Sequence, residues 1–361
     1  MAEIDLQEFG IFFKGPIEDI VLIQYDMIPQ SRYVNEPVTD PYVYIEEYTI
    51  QKEDEASTRR FYIGPVLSKG SYGFVEYILC YDSTINSDGV ASKNSVKLVR
   101  KRSRRQQHSL FLEACLQHLA YKVLFDAGFP YAVAKVTDIY RLPGGSIAFM
   151  MEALRDVEKV SDALIESFDM EELLVSILAQ IAIFIQCLET NICMNHRDLK
   201  GNNILIMKGS GDSDEYINSG EWRIYAPRRI CIVDFGFACI GARPPPVMPA
   251  ILSSGEFFSE DDGCPKKGRD LFQLLSFFYM IPAIRERTSN KMLQFLENCI
   301  NFRMKNEANY CEYLKTQDED RYDKVYDIIS EQTFKSPACV PSTFLKKMAV
   351  LYPDIVQSAK L

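Results

Sequence analysis

The amino-acid sequence predicts a mixed α+β chain in which a strand-rich first half precedes a helix-rich second half. Three observations carry that expectation. Between Phe61 and Met151 short apolar runs alternate with Gly, Asp and Asn turns, the pattern of an antiparallel meander. After Leu154 apolar residues recur mainly at helical spacing. The composition, 361 residues with 47% hydrophobic and 25% charged, is ordinary for a globular protein and provides enough apolar mass for a sizeable core.

Residues 1–58 are acidic and rich in Pro, Tyr and short β-branched runs such as Val21-Leu22-Ile23, and they are expected to form an extension without a core of its own. Strands are expected over 61–67, 74–81 and, after a turn-rich stretch, 95–99. Leu112, Cys115, Leu116, Leu119, Val123 and Leu124 then recur at helical spacing within 110–125. Strands over 132–140 and 146–151 complete a domain expected to span 59–154. The second domain, 155–361, is expected to hold helices over 170–188, 270–280, 291–302 and 322–329. Two short apolar strands, 204–207 and 230–233, flank a polar Gly- and Asp-containing insertion at about 209–228.

Charge and cysteine usage exclude some roles. Forty basic against fifty acidic side chains leave a net charge of −10, which argues against a protein devoted to wrapping nucleic acid, so no direct nucleic-acid partner is expected. The longest apolar stretch, 177–188, is interrupted by Gln180 and Gln186 and falls short of the roughly 20 residues a bilayer core demands, so no membrane span is expected. No secretory signal is visible. Ten Cys without a C-x-x-C pair suggest reduced core thiols and an intracellular protein, cytoplasmic or nuclear. The basic run Arg100-Lys101-Arg102-Ser103-Arg104-Arg105 reads as a solvated loop, or as a signal for nuclear import or an acidic partner.

The strongest chemical signal is His196-Arg197-Asp198-Leu199-Lys200-Gly201-Asn202-Asn203, followed by Asp234-Phe235-Gly236, each motif beside a short apolar strand. Over roughly 60–330 the chain resembles a eukaryotic-type protein kinase of the Ser/Thr kind, divergent and similar to those encoded by large DNA viruses. The resemblance implies a two-lobed fold, with a small antiparallel sheet lobe carrying one helix, a larger mainly helical lobe and the nucleotide between them. It also implies ATP and Mg²⁺, or Mn²⁺, as cofactors and protein substrates as partners. Phosphoryl transfer spreads negative charge over several oxygens, so such a site needs divalent metal, fixed cations and an oriented hydroxyl. Asp198 would accept the hydroxyl proton, Lys200 would neutralise the moving phosphoryl group, and Asn203 and Asp234 would hold the metal.

The remaining site residues follow from the same resemblance. Gly70, Ser71 and Gly73 match the loop that closes over phosphates, with Ser68 where the family carries a first Gly. Lys97 in Ser95-Val96-Lys97-Leu98 matches the phosphate-binding Lys, and Glu113, sixteen residues on, its ion-pair partner. Val75 and Leu205 would sandwich the adenine, Met151 would guard the pocket behind it, and Glu152 to Leu154 would form the connector along its edge. Asp270 would hold the catalytic loop from beneath. Arg197 would bind negative charge on the segment after Asp234, from a phosphate on Ser253, Ser254 or Ser259 or from Glu256, Glu260, Asp261 and Asp262. That segment lacks the family's A-P-E, leaving Glu256 or Glu260 to supply its Glu, with Arg321 as a candidate partner. Together with Ser68 and a Gln at 117 where the family packs an apolar residue, this keeps two alternatives open: a pseudokinase scaffold and a kinase-like small-molecule phosphotransferase.

Overall fold

The computed structural model describes residues 5–6, 11–14, 21–22, 28–34, 45–52, 55–69, 73–85, 91–103, 110–208, 215–241, 248–249, 252–254, 258, 262–305 and 308–358. The chain divides into two compact units, residues 1–119 with 134–154, and residues 120–133 with 155–361.

The first unit is built on a seven-stranded antiparallel sheet. Its strands in chain order are β1 (Arg32–Tyr33), β2 (Ile45–Lys52), β3 (Glu55–Lys69), β4 (Gly73–Ile85), β5 (Ala91–Ser103), β6 (Val136–Arg141) and β7 (Ile147–Glu152), and in space they run β1-β2-β3-β4-β5-β7-β6. Tyr48, Phe61, Ile63, Ile78, Cys80, Leu98, Tyr140, Ala148 and Met150 form its buried core, alternate residues of each strand pointing to one face. The sheet curls on itself: Tyr48 on β2 stacks on Tyr140 of β6 at 5.4 Å and donates its hydroxyl to Asp138 at 2.6 Å. Just ahead of β1, Ser31 N donates to Arg141 O and Arg141 N to Pro29 O, both at 2.8 Å, which joins the first and last strands.

This corrects two expectations. The sheet is larger than five strands, and residues before 59 are part of it, because Ile45 and Tyr48 supply apolar side chains that complete its core. The basic run is also not a solvated loop. Arg100 lies on β5 with 1% of its surface exposed, bonded to Glu46 at 2.8 Å, to Glu76 at 2.7 Å and to Tyr140 at 3.0 Å. Burial raises the Glu46 carboxyl above its ordinary range, against the opposing pull of Arg100. Arg104 and Arg105 lie outside the described residues.

The helix α1 (Phe111–Asp126) follows β5. In the second unit α2 (Val160–Glu166), α3 (Met170–Ile192), α4 (Arg269–Met280), α5 (Pro282–Arg287), α6 (Asn290–Ile300), α7 (Tyr310–Lys315), α8 (Arg321–Ser330) and α9 (Pro341–Leu351) accompany short strands. By length and composition α3 could cross a bilayer, but most of it is buried inside this unit, as a core helix must be. All twelve residues of α4 are buried. Its start is fixed by Gly268, whose φ of +77° suits glycine and whose missing Cβ would stand 2.8 Å from the Cys339 carbonyl carbon.

Strand Ile204–Met207 pairs with Val157–Lys159 and with Ile230–Ile232. The expected insertion is largely a hairpin: Tyr216–Ser219 pairs with Trp222–Tyr225, which pairs with Val356–Ser358. Ile217, Trp222 and Ile224 are buried, so the alternation of that stretch, not its polar content, decides its fate; residues 209–214 lie outside the described residues. The cysteine expectation also needs correction. Cys239 and Cys264, 25 residues apart, form a disulfide across a Cα–Cα distance of 6.4 Å, while the other eight Cys remain outside any disulfide.

Candidate functional site

The segment from Asn195 to Asn203 links strand Met194–Asn195 to strand Ile204–Met207 and ends in a 3₁₀ turn, Gly201–Asn203. Arg197 within it has φ +64°, a left-handed conformation that costs a non-glycine residue on the order of 1–3 kcal/mol and therefore needs support. Asp270 supplies that support from the first turn of α4: its carboxylate accepts from His196 N at 2.8 Å, Arg197 N at 2.9 Å and Asn195 Nδ2 at 3.4 Å.

The loop then presents Asp198. Lys200 Nζ donates to both carboxylate oxygens at 2.9 Å. Asn203 Nδ2 donates to Asp198 Oδ2 and to its backbone carbonyl, each at 2.8 Å. A third donor, not foreseeable from local sequence patterns, is the hydroxyl of Tyr326 on α8, bonded to Asp198 Oδ1. Burial first, and then the Asp198 charge, push the Tyr326 phenol well above its ordinary range.

Asp234 follows strand Ile230–Ile232 and is exposed, with φ +68°. Its neighbours tie it to the same loop. Val233 N donates to Asn203 O at 3.0 Å, His196 Nε2 lies 3.1 Å from Val233 O, and the His196 ring packs on buried Phe235 at 4.8 Å. Among the described residues, two of the four non-glycine residues with positive φ thus fall in the two motifs, and such strain concentrates at functional sites. With Nδ2 turned toward Asp198, the Asn203 amide offers its oxygen to a cation, and Asp234 offers a carboxylate; this hard oxygen pair suits Mg²⁺.

Behind the loop three cations surround one carboxylate. Asp262, 1% exposed in its side chain, is bonded to Lys266 at 2.6 Å, Arg269 at 2.7 Å and Arg197 at 3.0 Å. Arg197 Nη1 also donates to Ser253 Oγ at 2.9 Å. Burial, then repulsion from Arg269, lowers Arg197 to about 10. Asp262 is therefore the acid that engages Arg197, and Ser254 is turned to the carbonyls of Phe235 and Ala238. Arg321 donates to Thr316 O. Glu256, Ser259, Glu260 and Asp261 lie outside the described residues.

In the sheet unit the expected Lys97–Glu113 pair does not form. Lys97 is exposed, its ammonium 3.9 Å from the centre of the Tyr77 ring, whereas Glu113 is bonded to Lys101 Nζ at 2.5 Å with side chains 5% and 12% exposed. The reason lies in strand length. Strand β7 pairs with β5 only as far as Leu98, so Lys97 is flanked on one side alone, while Lys101 stands between Val75 of β4 and Phe149 of β7. Both lysines point to the same face, four residues apart, and sequence spacing could not choose between them.

The other expected residues fall as follows. Gly70 and Ser71 lie outside the described residues. Gly73 opens β4 opposite Ser103, where a Cβ would stand 2.5 Å from Arg102 O, so glycine is needed there for strand contact. Val75 is half-buried. Gln117 is buried and hydrogen-bonded, donating to Ala134 O at 2.9 Å and touching Met151 Sδ at 3.5 Å, which makes a polar residue compatible with that position. Met151 is buried at the end of β7, Glu152 is exposed and Leu154 half-buried. In the second unit Leu205 is half-buried opposite Cys231.

No family model matches the chain, and no curated protein matches it. Among solved structures the chain is similar to that of vaccinia related kinase 3, at 14% identity with a TM-score of 0.41, over 82% of this chain and 88% of that one.

Proposed function

We propose that the protein is an ATP- and Mg²⁺-dependent phosphotransferase with a protein-kinase fold, acting on Ser and Thr hydroxyls of proteins. The observation that carries the reading is the joint geometry of Asp198, Lys200, Asn203 and Asp234: one carboxylate held by a lysine and an amide, with a second carboxylate tied to the same loop by backbone bonds. In this reading Asp198 takes the acceptor proton and Lys200 balances charge on the phosphoryl group, while Asn203 and Asp234 hold Mg²⁺, or Mn²⁺, which supplies charge neutralisation at the phosphates. Within the sheet unit, Gly70, Ser71 and Gly73 serve the phosphates, Val75, Met151, Glu152 and Leu154 the adenine, and Lys101 replaces Lys97 as the lysine supported by Glu113. Asp262 gives Arg197 its counter-charge without a phosphate.

A catalytically silent binding module is the second reading, favoured by the Tyr326 hydroxyl on Asp198. Incubation with γ-labelled ATP, Mg²⁺ and a mixture of generic proteins, followed by phospho-residue analysis, separates the two. Label on Ser and Thr supports transfer; no label on protein, with Mg·ATP still bound, supports the silent module.

A further inference from the structure

An ionised carboxylate has about four acceptor positions. At Asp198 three donors fill them with four hydrogen bonds: Lys200 on both oxygens, Asn203 on Oδ2 and Tyr326 on Oδ1. A general base must accept a hydrogen bond from the hydroxyl it deprotonates, so an incoming acceptor has to displace one of the four. Lys200 and Asn203 belong to the loop that carries Asp198. Tyr326 comes from 128 residues away and is the one neutral hydroxyl among them, the same chemical group as the acceptor itself.

Resting on the reading of Asp198 as general base, we infer that Tyr326 is an internal competitor, holding the position on Asp198 Oδ1 that the substrate hydroxyl must take. Its element is suited to yielding. Only Val325 and Ile329 of the ten α8 residues are buried, so little apolar contact resists a shift of this helix. The ring lies tilted against Phe277 of α4 at 5.8 Å and Phe258 at 6.4 Å. The far end of α8 is tethered: Lys266 Nζ donates to the carbonyls of Ile329, Ser330 and Glu331 while paired with Asp262. Tyr326 is thus linked through α8 to the same carboxylate that engages Arg197, next to Asp198, and withdrawal of the phenol is coupled to the segment around Asp262.

Tyr326→Phe keeps the ring and removes only the O–H. Steady-state transfer from Mg·ATP to dephosphorylated casein is measured for the full-length wild type and variant, with thermal unfolding midpoints to verify the fold and Tyr326→Leu as a second hydroxyl-free variant. The expected result is a KM for casein lowered roughly ten- to a hundredfold, the ratio set by one hydrogen bond to a charged acceptor, with kcat and the KM for ATP within about twofold. A lower kcat at unchanged KM overturns the inference and makes Tyr326 a positioning residue for Asp198; unchanged constants overturn it outright. Phosphate on Tyr326 by mass spectrometry overturns it in favour of Tyr326 as an acceptor. Transfer by neither protein removes the proposed function and the inference with it, a result told apart from failure of the inference alone by the inactive wild type.

Discussion

Removing one partner of the Lys101–Glu113 pair takes away the nearest counter-charge of a nearly buried group. Glu113 is the deeper partner, so Lys101→Met removes the ammonium that balances its carboxylate and is expected to cost roughly 3–5 kcal/mol of stability. Glu113→Gln leaves an ammonium on a flexible stem that reaches water more easily, and the cost falls toward the lower end, about 3 kcal/mol. The double variant leaves no uncompensated charge, so its cost resembles that of the larger single change and a coupling energy of roughly 2–3 kcal/mol results. Lys97→Met, at an exposed position over Tyr77, costs within about 1 kcal/mol and shows no coupling to Glu113. Urea unfolding of the three single variants and of the two double variants that pair Glu113→Gln with each lysine change measures these values, and ATP turnover adds the functional arm, in which Lys101→Met abolishes transfer and Lys97→Met spares it. Coupling of Glu113 to Lys97, or additivity of Lys101 and Glu113 within about 0.5 kcal/mol, would refute the reasoning.

Three further outcomes are expected. Asp262→Asn leaves Arg197, Arg269 and Lys266 buried without their shared carboxylate and costs roughly 3–5 kcal/mol by urea unfolding; a loss below about 1 kcal/mol contradicts the cluster's role. Ser253→Ala retains transfer activity within about twofold, because Asp262 already neutralises Arg197; a loss beyond tenfold, with phosphate found on Ser253, restores the phosphorylation alternative. The carboxyl of Glu189 is pushed up to about 8, first by burial and then by the charge of Asp270, from an ordinary value of 4.5. The folded state holds that proton where the unfolded state has lost it, so the contribution is full below 4.5 and is lost as pH rises through about 8. Chemical denaturation across that window should show falling stability for the wild type and a flatter profile for Glu189→Gln; identical slopes contradict the assignment.

The sequence made some of this legible and hid the rest for physical reasons. Regular local patterns were readable: α1, α3, α4, α6 and α8 follow apolar spacing, and their observed bounds lie near those expected. The two motifs were readable because their chemistry is concentrated in a few adjacent residues. Partnerships across the chain were not. Lys97 and Lys101 share a face of one strand, and only the end of β7 at Glu152, opposite Leu98, exposes one and covers the other. Arg100 meets Glu46 across 54 positions, so a buried ion pair looked like a solvated basic run. Tyr48 shows why the first 58 residues were misjudged: its aromatic partner Tyr140 arrives only when the sheet curls. Tyr326 follows a charged stretch, Asp320 to Lys324, that reads as a solvated face, and nothing nearby marks it as a neighbour of Asp198.

The central claim is that Asp198 acts on the acceptor hydroxyl and not on the nucleotide. The measurement that tests it most directly is turnover with γ-labelled ATP for wild type and Asp198→Asn, alongside Mg·ATP affinity by equilibrium binding. Asparagine preserves the size of the side chain and removes the basic oxygen. The account predicts a loss of roughly 10²-fold or more in transfer at nearly unchanged Mg·ATP affinity, with Asp234→Asn weakening the affinity instead; transfer by Asp198→Asn within about threefold of wild type would contradict it.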